Sequence, residues 1–240
     1  MSSNANNKPI VIFGTGDVGQ LAHFYFTKDL NRDIVAFTGD ADRLDRSTFC
    51  DRPVVPFEGL LESHPPDTYE LFVALSYSKL NQTRAQKYAE AKAKGYTLPN
   101  LICSRSVSWG DTVFGDNCFI FENQTIQPFV TIGNNVTLWS GNHIGHHSVI
   151  GDHCFLTSHV VVSGHVTIEP FCFFGVNSAI RDGLTIAAGG VIGAGAMVVK
   201  DTLPNGVYMG KAADLKSQDA GQLNYFVNTG YAPKNRKGTP

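Results

Sequence analysis

The 240-residue chain lacks several features that would assign it to a common class of protein. It has only five cysteines and no CxxC spacing, which argues against a disulfide framework and a zinc knuckle. Its formal net charge is −2, so no positive excess indicates binding to nucleic acid or an anionic membrane. No apolar run approaches the ~20 residues that span a bilayer. We therefore predict neither nucleic acid nor membrane as a partner.

The N-terminus also lacks a targeting pattern. Residues 1–7 are polar, without the basic region and apolar core of a signal peptide, so we expect a cytoplasmic protein. The hydrophobic content of 42% is enough for a substantial core. The length suits one large domain or two small ones.

What the chain does have is a repeat of period six. An aliphatic or aromatic residue occupies every sixth position from Ile102 to Val198, with Ser108 as the exception. This period is neither the 3.6 of a helix nor the 2 of a plain strand, and it is typical of a β-solenoid built from hexapeptides. Three units make one triangular coil, and about five and a half coils at ~4.8 Å each predict a prism roughly 27 Å tall.

Positions within the hexapeptide have different expected roles. The first residue points inward, and the fifth is small or slender because it sits at a tight corner. Cys118, Cys154 and Cys172 share the fifth position, so we expect them to line one interior edge as packing residues. Glycines follow the inward residue in many units, and we expect them to let the backbone turn.

The first hundred residues follow another pattern. An apolar run ends at Gly14, which predicts a buried parallel strand. The spacing Gly14-x-Gly16-x-x-Gly19 then opens a helix whose backbone N–H groups can hold a phosphate. Asp40 follows a second predicted strand, where an acid can bind ribose hydroxyls. Strand–helix alternation predicts a small Rossmann-like parallel sheet, and the alternative is such a sheet with no ligand.

This domain is too short for a full dinucleotide fold, so a nucleotide or nucleotide-sugar is the better candidate ligand. We assign residues 1–100 to a nucleotide-sugar-binding domain, residues 101–206 to the β-solenoid and residues 207–240 to a C-terminal cap and tail.

Six of the eight histidines lie between residues 143 and 165. Four of them share the fourth hexapeptide position and step around three faces, with His147 and His165 stacked on neighbouring coils. Each of these four alone is best interpreted as a polar turn residue. His146 holds the third position, where a neutral imidazole could accept a proton from an attacking amine. We predict that His146 is a catalytic base and that it stands apart from the other histidines.

A glycine-loop domain followed by an uninterrupted hexapeptide repeat resembles a known family of sugar acyltransferases. That family includes the sialic-acid O-acetyltransferases and the bacillosamine N-acetyltransferases. The resemblance covers residues 8–215, and it rests on the glycine loop, Asn100-Leu101-Ile102, the repeat itself, and the segments 144–151, 172–177 and 206–210. It implies a left-handed parallel β-helix, and a homotrimer with active sites at the subunit interfaces. It also implies acetyl-CoA as cosubstrate, no metal, and a nucleotide-linked amino sugar as acceptor.

The resemblance also implies roles for individual residues. His146 matches the base, and Gly164 matches the glycine whose N–H holds the acetyl carbonyl oxygen. His147 replaces the glutamate that orients the base, so Asn142, Asp116 or a neighbouring chain is a candidate for that task. The expected coenzyme contacts are Gly164, Phe155, Gly175, Ala194, Lys200 and Lys211. The expected contacts to the sugar nucleotide are Gly14, Gly16, Asp17, Val18, Asp40, Ser76 and Lys79.

The function that these patterns and the resemblance favour is N-acetylation of a UDP-linked amino sugar for bacterial surface glycans such as O-antigen. Transfer would be direct, without a covalent enzyme intermediate. Three alternatives stay open: a sugar O-acetyltransferase on the same scaffold, a trimeric zinc hydratase of γ-carbonic-anhydrase type, and a non-catalytic nucleotide-binding scaffold. The histidine-rich stretch favours the hydratase because three imidazoles and an open position make a catalytic zinc site. The glycine-loop domain argues against it.

Overall fold

The computed structural model describes residues 8–215. The α/β domain and the coils pack as one unit that runs to Gly210, and residues 211–215 belong to a second unit. In the range described, no helix is long and apolar enough to cross a membrane.

The N-terminal domain is a five-stranded sheet with helices on its faces. Its strands are β1 (Ile10–Phe13), β2 (Ile34–Gly39), β3 (Thr48–Phe49), β4 (Arg52–Pro56) and β5 (Glu70–Val73). Its helices are α1 (Asp17–Lys28), α2 (Leu60–Ser63) and α3 (Gln82–Ala93), with a short 3-10 turn at Ala41–Arg43. The strand order is β3-β4-β2-β1-β5, and only β3 pairs antiparallel.

The sheet forms here because β1 is apolar on both faces. Ile10 and Ile12 pack on the α1 side, whereas Val11 and Phe13 face the α3 side, and all four are buried. A strand that is buried on both faces has a continuous apolar sequence, and the sequence of β1 is of this kind.

The repeat region forms three parallel sheets. Face A consists of β7 (Val113–Phe114), β10 (Thr131–Ile132), β13 (Val149–Ile150), β16 (Thr167–Ile168) and β19 (Thr185–Ile186). Face B consists of β6 (Leu101–Ile102), β8 (Phe119–Ile120), β11 (Thr137–Leu138), β14 (Phe155–Leu156), β17 (Phe173–Phe174), β20 (Val191–Ile192) and β22 (Val207–Tyr208). Face C consists of β9 (Thr125–Ile126), β12 (His143–Ile144), β15 (Val161–Val162), β18 (Ala179–Ile180) and β21 (Met197–Val198).

The register confirms the predicted coil of three hexapeptides. Ile132 pairs with Ile150, and Leu138 pairs with Leu156, so each strand lies beside the one three units later. The inward residues form one continuous apolar core. Cys118, Cys154 and Cys172 lie inside this core, fully buried, as predicted.

The turns correct the expected role of the glycines. The left-handed backbone falls on the fourth position, for example at Asn135 (φ 55°), His147 (φ 58°) and Gly183 (φ 69°). The glycines at the second position serve close approach instead. A Cβ on Gly145 would lie 2.5 Å from the Gly164 nitrogen, and a Cβ on Gly175 would lie 2.4 Å from the Ala194 nitrogen. A side chain at either position would meet the backbone of the next coil.

The two parts of the chain share a core along face B. The rings of Tyr25 and Phe72 pack edge-on against Phe119 of the first full coil. Arg84 of α3 is buried, and its guanidinium donates hydrogen bonds to the backbone carbonyls of Asn135, His153 and Cys154. Burial lowers the pKa of Arg84 to about 10. The arginine therefore ties α3 to the corner between faces A and B.

Part of the predicted cap and tail lies outside the described residues. Val207–Tyr208 continues face B by pairing with β20. Residues 216–240 are not described, and this includes Lys216, another lysine that could contact coenzyme phosphates.

Candidate active site

The predicted base lies on the turn between faces C and A. We call four residues of this turn in two successive coils, His146, His147, Gly164 and His165, the His corner. The backbone N–H of His146 donates to the side-chain oxygen of Gln127 at 2.8 Å. Its Nδ1 lies 3.1 Å from Nδ1 of His147, close enough for one shared proton. His147 is thus the polar group in direct contact with the predicted base.

The His corner gathers three imidazoles, all exposed. The rings of His147 and His165 stack with centroids 4.8 Å apart and planes 14° apart, as predicted from their spacing. The ring of His146 stands edge-on to both. The expectation that His146 stands apart from the other histidines is therefore wrong. The third and fourth positions both project outward from one turn, so His146 joins the stack.

Gly164 lies against His146 in the next coil. A Cβ on Gly164 would lie 2.8 Å from Nε2 of His146, so only glycine leaves room for the ring. The Gly164 N–H has no hydrogen-bond partner among the residues described. The N–H groups at the same position in Asp116 and Asn134 do have one, because each donates to a side chain of the following coil. Glycine at position 145 leaves the Gly164 nitrogen uncovered.

The other candidates for orienting His146 lie elsewhere. Asn142 is buried at the corner between faces B and C. Its amide donates to the Trp139 carbonyl at 2.7 Å and accepts from the Val160 N–H at 2.7 Å. Asp116 accepts a hydrogen bond from Tyr88 and pairs with Lys92 at 2.6 Å. Both side chains are committed to structural contacts and neither touches His146. Within one protomer, therefore, neither Asn142 nor Asp116 is placed to orient His146.

The predicted coenzyme residues lie in different places on the protomer. Lys200 is at the third position of the turn between faces C and A, two coils beyond Gly164, or roughly 10 Å at the strand spacing. Gly175 and Ala194 stack at the corner between faces B and C. Phe155 is buried on face B against Tyr77. Lys211 lies in the second unit, where it pairs with Asp214 at 3.6 Å.

The predicted nucleotide residues line a groove at the carboxyl edge of the N-terminal sheet. Gly14 has φ +125°, and a Cβ there would meet the Ala74 carbonyl at 2.6 Å. A Cβ on Gly19 would meet the Gly14 carbonyl at 2.1 Å, so both glycines let β1, β5 and α1 pack closely. No atom lies within 4 Å of the corresponding point on Gly16, which caps α1 at an exposed turn. The N-terminus of α1 is therefore open to an anion.

Asp40 sits in this groove but is already paired. Its carboxylate accepts from Nζ of Lys87 at 2.6 Å, and Lys87 also binds Glu90 at 2.8 Å. Burial alone would lower the pKa of Lys87, but the hydrogen bonds to Asp40 and Glu90 outweigh it and raise that pKa. Lys87 also lines the pocket beside Gly14 and Asp40. The sequence contains no local signal that Lys87 belongs to this groove, because α3 lies far from Asp40 along the chain.

An aromatic pocket joins the groove to face B. Trp139 stacks on Phe121 with centroids 4.2 Å apart, and Tyr77 packs against Phe155 at 5.1 Å. The residues lining this aromatic pocket are Val18, Ser76, Tyr77, Trp139, Phe155, Thr157, Ser158 and Val176. Two predicted substrate contacts, Val18 and Ser76, thus lie beside Tyr77, which the sequence did not indicate.

Lys79 is exposed on an unusual turn, in which Lys79, Leu80 and Asn81 all have positive φ, from 49° to 65°. It does not line the groove beside Gly14 and Gly16. Asp17 does line this groove, and it is exposed in the first turn of α1, beside the open helix N-terminus.

Comparison with known proteins first defines the class. The family of bacterial transferase hexapeptide repeats matches residues 129–164, over six repeats. The match identifies hexapeptide repeats in this part of the chain.

Solved structures then show its particular architecture. PerB from Caulobacter crescentus, in complex with CoA and GDP-perosamine, is 24% identical, with 90% of this chain and 100% of that chain covered and a TM-score of 0.75. The acetyltransferase domain of PglB from Neisseria gonorrhoeae is 21% identical, with 87% and 99% covered and a TM-score of 0.75. WeeI from Acinetobacter baumannii is 18% identical, with 86% and 98% covered and a TM-score of 0.69. At these identities the likeness shows the fold, and it confirms the predicted α/β domain followed by a left-handed parallel β-helix.

Proposed function

We propose that the protein is an acetyl-CoA-dependent N-acetyltransferase that acts on a nucleotide-linked amino sugar. The observation that carries the proposal is the pairing of an exposed imidazole, His146, with the unpartnered N–H of Gly164. An acyl transfer needs a proton acceptor for the attacking group and a donor for the oxygen that becomes negative. The His corner supplies both on adjacent coils.

The groove and the fold support a nucleotide-linked amino sugar as the acceptor. The open N-terminus of α1 suits a diphosphate, and Asp40 suits a ribose hydroxyl. PerB, which has this fold, was solved with CoA and GDP-perosamine. We favour UDP as the nucleotide on the sequence resemblance, and GDP is the next to test. The product would serve a bacterial surface glycan such as O-antigen, made in the cytoplasm.

The mechanism follows from one shared proton. The Nδ1 atoms of His146 and His147 are 3.1 Å apart, so one of them donates and the other accepts. When His146 donates from Nδ1, its Nε2 carries a lone pair and can act as the base. His147 is then the acceptor, with its own proton on Nε2. This takes the place of the carboxylate that the family resemblance led us to expect beside the base.

The reaction is a direct transfer. The amine nitrogen attacks the thioester carbonyl carbon, and Nε2 of His146 takes the proton that the amine loses. The carbonyl oxygen becomes an oxyanion, which the Gly164 N–H stabilises; donors of this kind are worth about 3 kcal/mol. The carbon–sulfur bond then breaks, and the thiolate leaves and is protonated. No metal and no covalent enzyme intermediate is needed.

We propose a homotrimer on the family resemblance, and an assembly of copies is supported because one protomer does not bring the two halves of the site together. The groove and the aromatic pocket adjoin face B, whereas the His corner joins faces C and A. Apolar side chains flank the His corner, including Phe129 at 61%, Val149 at 42% and Val161 at 43% exposure. Burying them against a second copy removes this apolar surface from water and brings that copy's groove toward the base.

A thiol-release assay with acetyl-CoA tests the function. The acceptors are a panel of UDP-, dTDP- and GDP-linked amino sugars, with the corresponding hydroxyl sugars to detect O-acetylation. We expect one amino sugar to be preferred and His146→Ala to lose at least ~100-fold in kcat while still binding substrate. His159→Asn, at an exposed turn on another corner, is the matched control. Turnover at the wild-type rate in His146→Ala would rule out the base.

A further inference from the structure

We propose that His146, His147 and His165 form a binding site for a divalent transition-metal ion, and that a bound ion blocks acetyl transfer. Each side chain offers one ring nitrogen, and these atoms all lie within 4.8 Å of one another. Among residues 8–215 they are the one group of three such side chains that meets this geometry. Binding depends only on the three imidazoles, whereas the inhibition rests on the proposed function.

The spacing of the nitrogens suits a metal. Zinc–imidazole bonds of about 2.0–2.1 Å place the ligands of a tetrahedral site about 3.3 Å apart. The Nδ1 atoms of His146 and His147 already stand at 3.1 Å. His165 lies parallel to His147 at 4.8 Å, so a rotation of this exposed side chain brings its nitrogen into the sphere. Three imidazoles leave a fourth position for water, and imidazole sites favour Zn²⁺, Cu²⁺ and Ni²⁺.

The coil fixes the backbone beneath these ligands. The His165 N–H donates to the His146 carbonyl at 2.9 Å, which locks the two turns in register. His147 and His165 have nearly the same left-handed φ, 58° and 57°, so their side chains leave the turn in the same direction. The site is therefore built on a rigid ladder, with mobility confined to the side chains.

The other nearby histidines lack this arrangement. Nδ1 of His153 lies 2.9 Å from the Asn135 amide, and its ring packs against Tyr88. The ring of His159 covers Gly141 at the corner between faces B and C. The proposed metal site thus belongs to the His corner and not to the histidine-rich segment as a whole.

A bound ion would remove the base. Metal coordination at Nδ1 of His146 displaces the proton shared with His147. The remaining proton of the neutral ring then sits on Nε2, the atom that must accept the proton of the amine. The ring can hold the metal or serve the reaction, but not both.

Direct binding is measured on the full-length protein, purified without a polyhistidine tag and treated with a chelator. Zn²⁺ is titrated by calorimetry and Co²⁺ by its visible spectrum, in wild type, His165→Asn and the control His159→Asn. Asparagine fits both turns, because Asn135 and Asn177 adopt the same left-handed φ of 55° and 57°. We expect one ion per protomer, at least ~10-fold weaker binding in His165→Asn, and no change in His159→Asn.

Inhibition is measured by thiol release at increasing Zn²⁺. The wild type should lose activity and recover it with EDTA, whereas His165→Asn should keep its own metal-free rate, whatever that rate is, as zinc is added. Absence of stoichiometric binding, or equal binding by His165→Asn, would overturn the site. Binding that raises turnover would overturn the inhibition. If no sugar is acetylated, the proposed function fails, while the calorimetry still decides whether the ion binds.

Discussion

Gly164 lies directly beside the imidazole of His146 and leaves room for that ring. A Cβ on Gly164 would lie 2.7 Å from Cε1 and 2.8 Å from Nε2 of that ring. A real Cβ contact is never so short, so any side chain at position 164 must push the ring away. The position of the proposed base therefore depends on a residue that has no side chain.

Gly164→Ala should reduce kcat by about 100-fold, because a displacement of about 1 Å in a catalytic group has that effect. The fold should survive, since the displaced ring is exposed. The control is Gly183→Asn in the next coil of the same corner, where φ is +69° and no atom lies within 4 Å. It should keep the wild-type rate. If thiol release by Gly164→Ala and Gly183→Asn is equal and at the wild-type rate, Gly164 does not position the base.

Asp40→Asn should raise the KM for the sugar nucleotide by about 10-fold or more, with kcat little changed. The substitution keeps the shape of the side chain but removes the charge that we propose binds a ribose hydroxyl. Glu90→Gln removes the other carboxylate that contacts Lys87 and is the matched control. Steady-state kinetics with varied nucleotide sugar gives both parameters. A change in kcat alone would show that Asp40 is not a ribose ligand.

Arg84→Met should lower the free energy of unfolding by about 3 kcal/mol. Methionine fills much of the volume but donates no hydrogen bond, so the carbonyls of Asn135 and His153 lose the bond from Arg84. The Cys154 carbonyl keeps its bond from the Thr137 N–H. Arg46→Met is the control, because the Arg46 side chain is 44% exposed, where it pairs with Asp45 and lies over the Phe49 ring. Urea unfolding measures both. Equal midpoints would mean that Arg84 does not stabilise the junction between α3 and the coils.

The stability of the fold should fall as the pH drops below 6.5. Burial beneath α3 lowers the pKa of His153 from 6.5, so the unfolded chain binds its proton first. Protons then favour unfolding, and the contribution vanishes above pH 6.5. His153→Asn should show a shallower slope of unfolding free energy between pH 6.5 and 5, while His159→Asn keeps the wild-type slope. Burial also lowers the pKa of His23 and His64, so some slope remains. Identical slopes in the two variants would contradict this account.

The repeat predicts the coil well because each inward residue is held by the same packing rule. Ile132 must lie beside Ile150 once three hexapeptides close a coil, and the interior place of Cys154 follows. The stack of His147 on His165 follows from the same spacing. The glycine loop is also placed correctly, because a strand, a tight turn and a helix succeed one another locally.

The remaining features of the site depend on contacts that the six-residue repeat does not predict. Lys87 reaches Asp40 from a helix far along the chain. Tyr77 enters the aromatic pocket because three left-handed residues turn the chain behind it. His146 meets His147 through the direction in which two neighbouring side chains leave one turn. Distances of this kind are set by backbone angles and not by spacing in the sequence.

The left-handed turn has a consequence for how such a protein can change. At this corner position the backbone angle admits glycine, asparagine and histidine more readily than most residues. Histidine stands there at His147, His153, His159 and His165, asparagine at Asn117, Asn123, Asn135 and Asn177, and phenylalanine at Phe129 and Phe171. Asn117 and Asn135 are buried and hydrogen-bonded, so exchange is confined to exposed turns such as those of His147 and His165. There an exchange keeps the backbone angle and adds or removes a group that moves protons and binds metals. The scaffold can thus gain or lose chemistry at its exposed turns by single substitutions.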